Sequence, residues 1–402
     1  MPVLNRIADY AEDMKTWRRH LHQHPETRFD CAQTAAFVAG RLREFGITEI
    51  HEGIARSGLV AIIEGQGDGP TIGLRADIDA LPITEETGLP HASTVPGKMH
   101  ACGHDGHTTM LLGAARYLAE TRNFAGRVAL IFQPAEEWGG GAGVMVQEGI
   151  MERFGIGQVY ALHNAPGVAE GRFETRPGPI MAAVDTLTVT VTGRGGHGAH
   201  PEDTVDPVAA IVQMVGALQT IVSRNRRGTD ALVISVTQIH TGSADNIIPE
   251  TGWFCATIRT YDRAVQAMVE TRCQAIVQGI AAAMSCSAVV DYERGYTATV
   301  NHARETAFAT EIAAEVGSAT GECDPVMGAE DFAFMLQAKP GAYCFIANGD
   351  GGHRDAGHGA GPCMLHNPSY DFNDDLIPLG ATFWVRLVEQ WLAQPRTDKA
   401  AA

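Results

Sequence analysis

Between residues 185 and 296 the chain reads strand, helix, strand, strand, helix, strand, and this order constrains the fold more than any other feature. DTLTVTVTG (185–193) alternates apolar and polar residues, as a half-buried strand does. DPVAAIVQMVGALQTIV (206–222) has helical spacing, and ALVISVTQIH (231–240) and TGWFCATIRTY (251–261) are consecutive strands. RAVQAMVETRCQAIVQGIAAAM (263–284) is a second helix and SAVVDYERGY (287–296) a last strand. A β-α-β-β-α-β run is the split, ferredoxin-like unit. Being complete in itself, it is expected to form a domain, 184–296, inserted into a larger one made of 1–183 and 297–402.

The flanking sequence has another rhythm. TIGLRAD (71–77), RVALIFQ (127–133) and QVYALH (158–163) are short apolar runs, separated by the helical periods TTMLLGAARYLAE (108–120) and GVMVQEGIMERF (143–154). Strands alternating with helices predict an α/β layer, a largely parallel sheet flanked by helices. With 402 residues and 45% hydrophobic content, the chain can bury two cores. Its 30 Lys and Arg against 47 Asp and Glu give a formal charge of −17, which argues against nucleic acid and anionic membrane as partners. No apolar run approaches the roughly 20 residues that cross a bilayer. The first twenty residues read as a charged amphipathic helix rather than a secretory leader, and His20, His22 and His24 at its end are expected mostly at the surface. Eight cysteines, widely spread, do not make a disulfide scaffold, so a reduced, cytoplasmic protein is expected. The last residues, TDKAAA, read as a frayed end.

Four short segments carry chemistry. MHACGHDGHTTM (99–110) gathers His100, Cys102, His104 and His107. Residues i and i+2 of a loop project to one side, so Cys102 and His104 can reach one site, next to the N-terminus of a helix starting near Asp105. FQPAEEWGGGAG (132–143) places Glu136 and Glu137 at the C-terminal edge of a strand, where α/β proteins usually bind ligands. His163 ends the strand in YALHNAPG, and His366 lies in the polar loop CMLHNPSYDFNDD. Each segment alone also fits a plain structural role: a buried cysteine, a solvated acidic loop, a strand-end histidine. Together they supply five donors, Cys102, His104, Glu137, His163 and His366, more than one tetrahedral ion needs. A bridging thiolate and a bridging water would let the set hold two divalent ions, which polarise a carbonyl and activate water. Glu136 is then left to carry the proton.

These stretches, with RRHLHQHPE (18–26), LRADIDALP (74–82), GRGGHGAHP (193–201), ADNIIPE (244–250), GAEDFA (328–333) and LHNPSYDFND (365–374), resemble the M20 metallopeptidase family. They are most similar to its amidohydrolase branch of hippurate hydrolases, N-acyl-amino-acid amidohydrolases and auxin-conjugate hydrolases. The resemblance runs nearly end to end. It implies a binuclear metal domain with an inserted dimerisation domain, Cys102, His104, Glu137, His163 and His366 as ligands, and Glu136 as general base. It implies that His197 crosses a homodimer to steady the carbonyl oxygen of the partner's substrate. Asn246 and Arg259 would bind substrate beside it, Arg259 gripping a carboxylate. Asp77 and Asp79 look like carboxylates that orient ligating histidines, and both stay off the ligand list. His100 and His107 either join that outer role or have none. Where relatives often carry Ser or Gly before the glutamate, this chain has MGAED (327–331), from which little consequence is expected.

The expected activity is hydrolysis of N-acyl or N-aroyl amino acids to a carboxylate and a free amino acid. The metal is zinc, manganese, cobalt or nickel, with a thiolate favouring the softer ions. Alternatives are a dipeptidase or aminopeptidase, an N-acetyl-diaminopimelate deacetylase, or a non-catalytic ligand-binding relative.

Overall fold

The computed structural model describes residues 3–350 and 363–393; the terminal TDKAAA lies outside the described residues. The chain divides into two compact units. One runs to Ile180 and includes Val300–Asp324 and the chain from Asp331; the other is Met181–Thr299 with Pro325–Glu330. The second unit thus takes in a short segment, 325–330, beyond the inserted stretch expected from sequence. Met181 pairs with Val326, and the Ala182 N–H donates to Gly328 O at 2.8 Å.

The larger unit is built on an eight-stranded mixed sheet. Its strands run Glu49–Ile54, Gly58–Glu64, Arg127–Gln133, Thr71–Asp77, Ile156–Pro166, Gly341–Gly349, Arg172–Glu174 and Ser318–Thr320 across the sheet. The centre is parallel: Thr71–Asp77 pairs with both Arg127–Gln133 and Ile156–Pro166, and Gly341–Gly349 pairs with Ile156–Pro166. All seven residues of Thr71–Asp77 are buried, as the continuous run TIGLRAD requires of a strand covered on both faces. The sheet is mixed rather than largely parallel, because Gly58–Glu64 runs antiparallel to both of its neighbours and Arg172–Glu174 runs antiparallel to Gly341–Gly349.

Helices His104–Thr121, Ala11–Gln23 and Ile377–Ala393 pack together over this sheet. Gly113 faces the Met14 sulfur and Gly380 the Met110 sulfur so closely that a Cβ at either position would collide with it. The helical run expected over 143–154 is two helices, Gly141–Gln147 and Ile150–Arg153, because Gly149 turns the backbone to φ 80°. The amphipathic N-terminus likewise forms Asn5–Ala8 and then Ala11–Gln23. His20 and His24 are exposed on it, but His22, expected at the surface, is buried.

The smaller unit is a four-stranded antiparallel sheet in the order Leu232–Thr241, Thr251–Thr260, Ala183–Thr192, Ser287–Arg294. Leu187, Val189 and Val191 point into a core with Phe254, Ala256 and Ile258, while Thr186, Thr188 and Thr190 alternate outward. Helices Pro207–Thr220 and Arg263–Ala283 cover the apolar face. Asp206 and Asp262 cap them, each accepting two backbone N–H groups. Contrary to the sequence expectation, Pro207–Asn225 is long and apolar enough by composition to cross a membrane. Ala210, Ile211, Met214, Leu218 and Ile221 of this run pack into the core of the unit.

Candidate metal centre

Two strands and two loops deliver the donors, all within the larger unit. The loop from Met99 reaches Gly103, whose φ of 93° turns the chain into the helix that begins at His104. A side chain at Gly103 would run into Asn164. Cys102 and His104 therefore emerge on either side of a fixed turn, both buried. After strand Arg127–Gln133, Ala135 takes a left-handed φ of 57° and Glu136 and Glu137 follow. His163 lies on strand Ile156–Pro166. His366, with φ 63°, is tied back through its N–H to Ala101 O at 2.8 Å.

The five expected donors form one connected cluster. Cys102 Sγ lies 3.4 Å from His163 Nε2, His104 Nε2 3.8 Å from Glu137 Oε1, and His366 Nε2 3.4 Å from Glu137 Oε2. Ligand atoms of Cys102, Glu137 and His366 lie within 4.8 Å of one another, as do those of His104, Glu136 and Glu137. Asp77, His104, His107 and His163 form a further group on the same criterion.

Asp79 works differently from the sequence expectation. Its backbone carbonyl, not its carboxylate, holds His104 Nδ1 at 2.8 Å; the nearer carboxylate oxygen is 3.7 Å away. The carboxylate instead accepts the backbone N–H of Glu136 at 3.0 Å and of Glu137 at 3.2 Å. One aspartate thus fixes both the imidazole and the paired-glutamate turn. Asp77 meets His107 Nδ1 at 2.6 Å and Arg75 Nη1 at 2.7 Å. Arg75 also reaches Gln133 Oε1 at 2.7 Å and Asp331 Oδ1 at 3.2 Å. His163 Nδ1 is engaged by Asn164 O at 2.7 Å, which turns its Nε2 toward Cys102.

Arg75 and Asp331 were not singled out by sequence reasoning as partners of this site, and His107 was left between an outer orienting role and none. A signal existed for two of them. Arg75 is a charge inside an apolar strand, which must find a buried counter-charge, and His107 lies three positions from His104 on one helix face. Nothing local marks Asp331, which is 256 residues from Arg75.

The electrostatics call for a cation. Burial pushes the Cys102 thiol well above its ordinary value, and Glu137 and Glu136 push it further. Burial disfavours charge on His104, yet Asp77, Asp79 and Glu137 outweigh it and raise the imidazole to about 10. Burial likewise opposes charge on Glu137, but His366 and His104 hold its carboxyl below the ordinary range. Burial, seconded by His107, lowers His163 well below its ordinary value, keeping that ring neutral and able to donate a lone pair. His104 Nε2 and Glu137 Oε1 are buried with no hydrogen-bond partner. A thiol, imidazoles and carboxylates converging with unmatched buried atoms fit divalent metal.

In the smaller unit, His197 lies exposed on a two-residue strand paired with Ile247, and the Gly198 N–H donates to Asn246 O at 2.8 Å. His197 and Asn246 are therefore neighbours. Arg259 is not with them. It pairs with Val184, whereas the end of the sheet from which the His197 and Asn246 segments extend is marked by the Thr251–Thr192 pair, eight residues or about 26 Å along the strand.

Residues 73–390 match the peptidase family M20/M25/M40. The hippurate hydrolase of Campylobacter jejuni is 38% identical over 98% of this chain and 100% of its own length. The N-acetyl-L-cysteine deacetylase of Bacillus subtilis is 42% identical over 90% of this chain and 83% of its own. A Bacillus subtilis structure described as a dinuclear metal binding peptidase from the M20 family superposes with a TM-score of 0.82 at 29% identity, covering 96% of this chain and 99% of the other. The chain belongs to the M20 peptidase family. It is a metal-dependent amidohydrolase.

Proposed function

We propose that the protein holds two divalent ions and hydrolyses the amide bond of N-acyl or N-aroyl amino acids, hippurate-like substrates first, to a carboxylate and a free amino acid. The carrying observation is the paired-glutamate turn. Asp79 fixes both amides, so that Glu137 meets His104 and His366 while Glu136, buried beside it, belongs to the same cluster. Cys102, His104, Glu137, His163 and His366 would hold the ions. When bound, the ions supply Lewis-acid polarisation of the amide carbonyl and lower the pKa of water. Glu136 takes the proton of the attacking water and delivers it to the departing nitrogen. In a homodimer, His197 of one copy donates a hydrogen bond to the carbonyl oxygen in the other's site as charge develops there. Asn246 of that copy assists, and Arg259 of the copy that holds the substrate grips its carboxylate.

Replacing Glu136 with Gln should lower turnover by about 10²–10⁴-fold while metal content, read by elemental analysis, is unchanged. Persistent turnover would remove Glu136 from the base role. The shared site has its own check. Mixing inactive Glu136→Gln chains with inactive His197→Ala chains should restore about a quarter of wild-type activity, since half the dimers are hybrids with one intact site. A small acyl group is the second reading, favoured by the likeness to the N-acetyl-L-cysteine deacetylase. Comparing hippurate with N-acetyl amino acids and dipeptides on the metal-loaded protein separates them.

A further inference from the structure

Arg18, wholly buried on helix Ala11–Gln23, faces carboxylates from two distant parts of the chain. Its Nη1 lies 2.9 Å from Asp371 Oδ1 and 3.5 Å from Asp105 Oδ2, and its Nε 2.6 Å from Asp374 Oδ1. Its Nη2 approaches His91 Nε2 at 3.3 Å. Arg19 takes the other oxygen of Asp374 at 2.9 Å. Asp105 is held a second time, by His22 Nδ1 at 2.8 Å, and the far side of that ring lies 3.4 Å from Glu85.

The addresses of these carboxylates matter. Asp105 follows His104 directly, on the turn that also carries Cys102. Asp371 and Asp374 follow His366 on the segment that brings this last donor to the site. His366 itself is half exposed, its side chain at 53%, and sits in a left-handed backbone conformation. Its segment is otherwise tied down by the bond from His366 N–H to Ala101 O, by the Glu86 N–H to Pro368 O at 2.8 Å, and by Asn164 Nδ2 to Tyr370 Oη at 2.5 Å. A planar guanidinium offers five N–H donors in a rigid fork and so fixes the geometry of carboxylates on several sides, whereas an ammonium offers three rotatable donors around one point.

We propose that Arg18 is a positioning residue of the metal centre: one guanidinium locks the Cys102–His104 turn to the His366 segment, so that Cys102, Glu137 and His366 stand together before metal arrives. This rests on the ligand assignment above. It assigns a purpose to the RRHLHQHPE stretch, which contributes no donor of its own to the centre. Orienting groups behind metal ligands typically govern affinity by about 10–100-fold.

The test uses the full-length protein with two variants. Arg18→Lys keeps the charge and loses the fork. Asp374→Asn loosens only the arm toward the His366 segment, and decides the matter should Arg18→Lys not fold. Zinc affinity is measured by chelator competition, with thermal unfolding as the companion readout. The expected result is that one of two zinc equivalents weakens by about tenfold or more while the other stays within about twofold. Activity then returns toward the wild-type kcat at saturating zinc. A variant that lowers the unfolding temperature but leaves both equivalents unchanged, or weakens both equally, overturns the proposal and leaves Arg18 a purely structural residue. If the wild-type protein binds no zinc tightly, the ligand assignment itself fails, which is a separate and distinguishable outcome.

Discussion

Two buried polar clusters meet on the turn from Cys102 to Asp105, and they differ in where their positive charge comes from. On the Asp105 side the cations are built in. Burial opposes the charge of Arg18, but Asp371, Asp105 and Asp374 outweigh it and keep the guanidinium charged. Burial also works against the Asp371 carboxylate, yet Arg18 and His91 hold its pKa down to about 2. On the Cys102 and His104 side, Arg75 is spent on Asp77 and Asp331, and among the described residues the ion-pair partners of Glu137 are histidines, not an arginine. The thiol is pushed up, His104 is driven to hold a proton, and buried donor atoms go unmatched. A buried acidic cluster closed by its own arginine is architecture. One left short of a cation is a site.

The sharpest way to break this contrast is to remove the thiol. Cys102→Ser should lower hydrolysis by at least about a hundredfold and should abolish the sulfur-to-metal absorption of the cobalt-loaded protein. The same absorption should survive Asp374→Asn, which touches only the Arg18 cluster. Were the band to persist without Cys102, sulfur would be no ligand and the contrast would lose its basis.

Proton counting sharpens the comparison at smaller scale. In the metal-free protein near pH 8, burial and the neighbouring carboxylates keep the Cys102 thiol protonated, and His104, raised to about 10, is charged. Metal must displace both protons, so zinc uptake near pH 8 should release about two protons per chain. Calorimetry in buffers of different ionisation enthalpy reads that number. A release near zero would mean the donors do not receive the ion.

The contrast also explains what could be read from the chain beforehand. Cys102 with His104, and Glu136 with Glu137, were legible because each pair is local and sits at the end of a recognisable strand or the start of a helix. His163 and His366 became legible only as additions to that pair. The Arg18 cluster was not, because its carboxylate partners lie 87 to 356 residues away by chain and each looks like an ordinary surface charge. His22 read as one of three surface histidines for the same reason; its partner Asp105 is 83 residues on. The strand Glu49–Ile54 went unread because, Ile54 apart, its side chains are half-buried or exposed, so no apolar run announces it; its hairpin with Gly58–Glu64 is one of the places where the sheet departs from parallel. The family resemblance put Asn246 and Arg259 in one expected neighbourhood, but strand register separates them.

The finest test lies in the built-in cluster. Burial opposes charge on His22, but Asp105 and Glu85 outweigh both burial and the nearby Arg18, raising the ring to about 9 from an ordinary 6.5. A group whose folded pKa is raised stabilises the fold fully below its unfolded value and loses that contribution as pH climbs through the folded value. His22 should therefore add roughly 3 kcal/mol near pH 6, declining between about pH 6.5 and 9 and gone above it. His22→Gln can still hydrogen-bond to Asp105 but cannot carry the charge, so its stability should lack that decline. Urea unfolding of both proteins across this range, with chelator present throughout, makes the comparison; the titrations of Cys102 and His104 are common to both and cancel in the difference. Parallel losses in the two proteins would show that Arg18 alone balances Asp105. A decline confined to the wild type would show that even the cluster with its own arginine borrows part of its charge from a proton, and so is separated from the metal centre by degree rather than by kind.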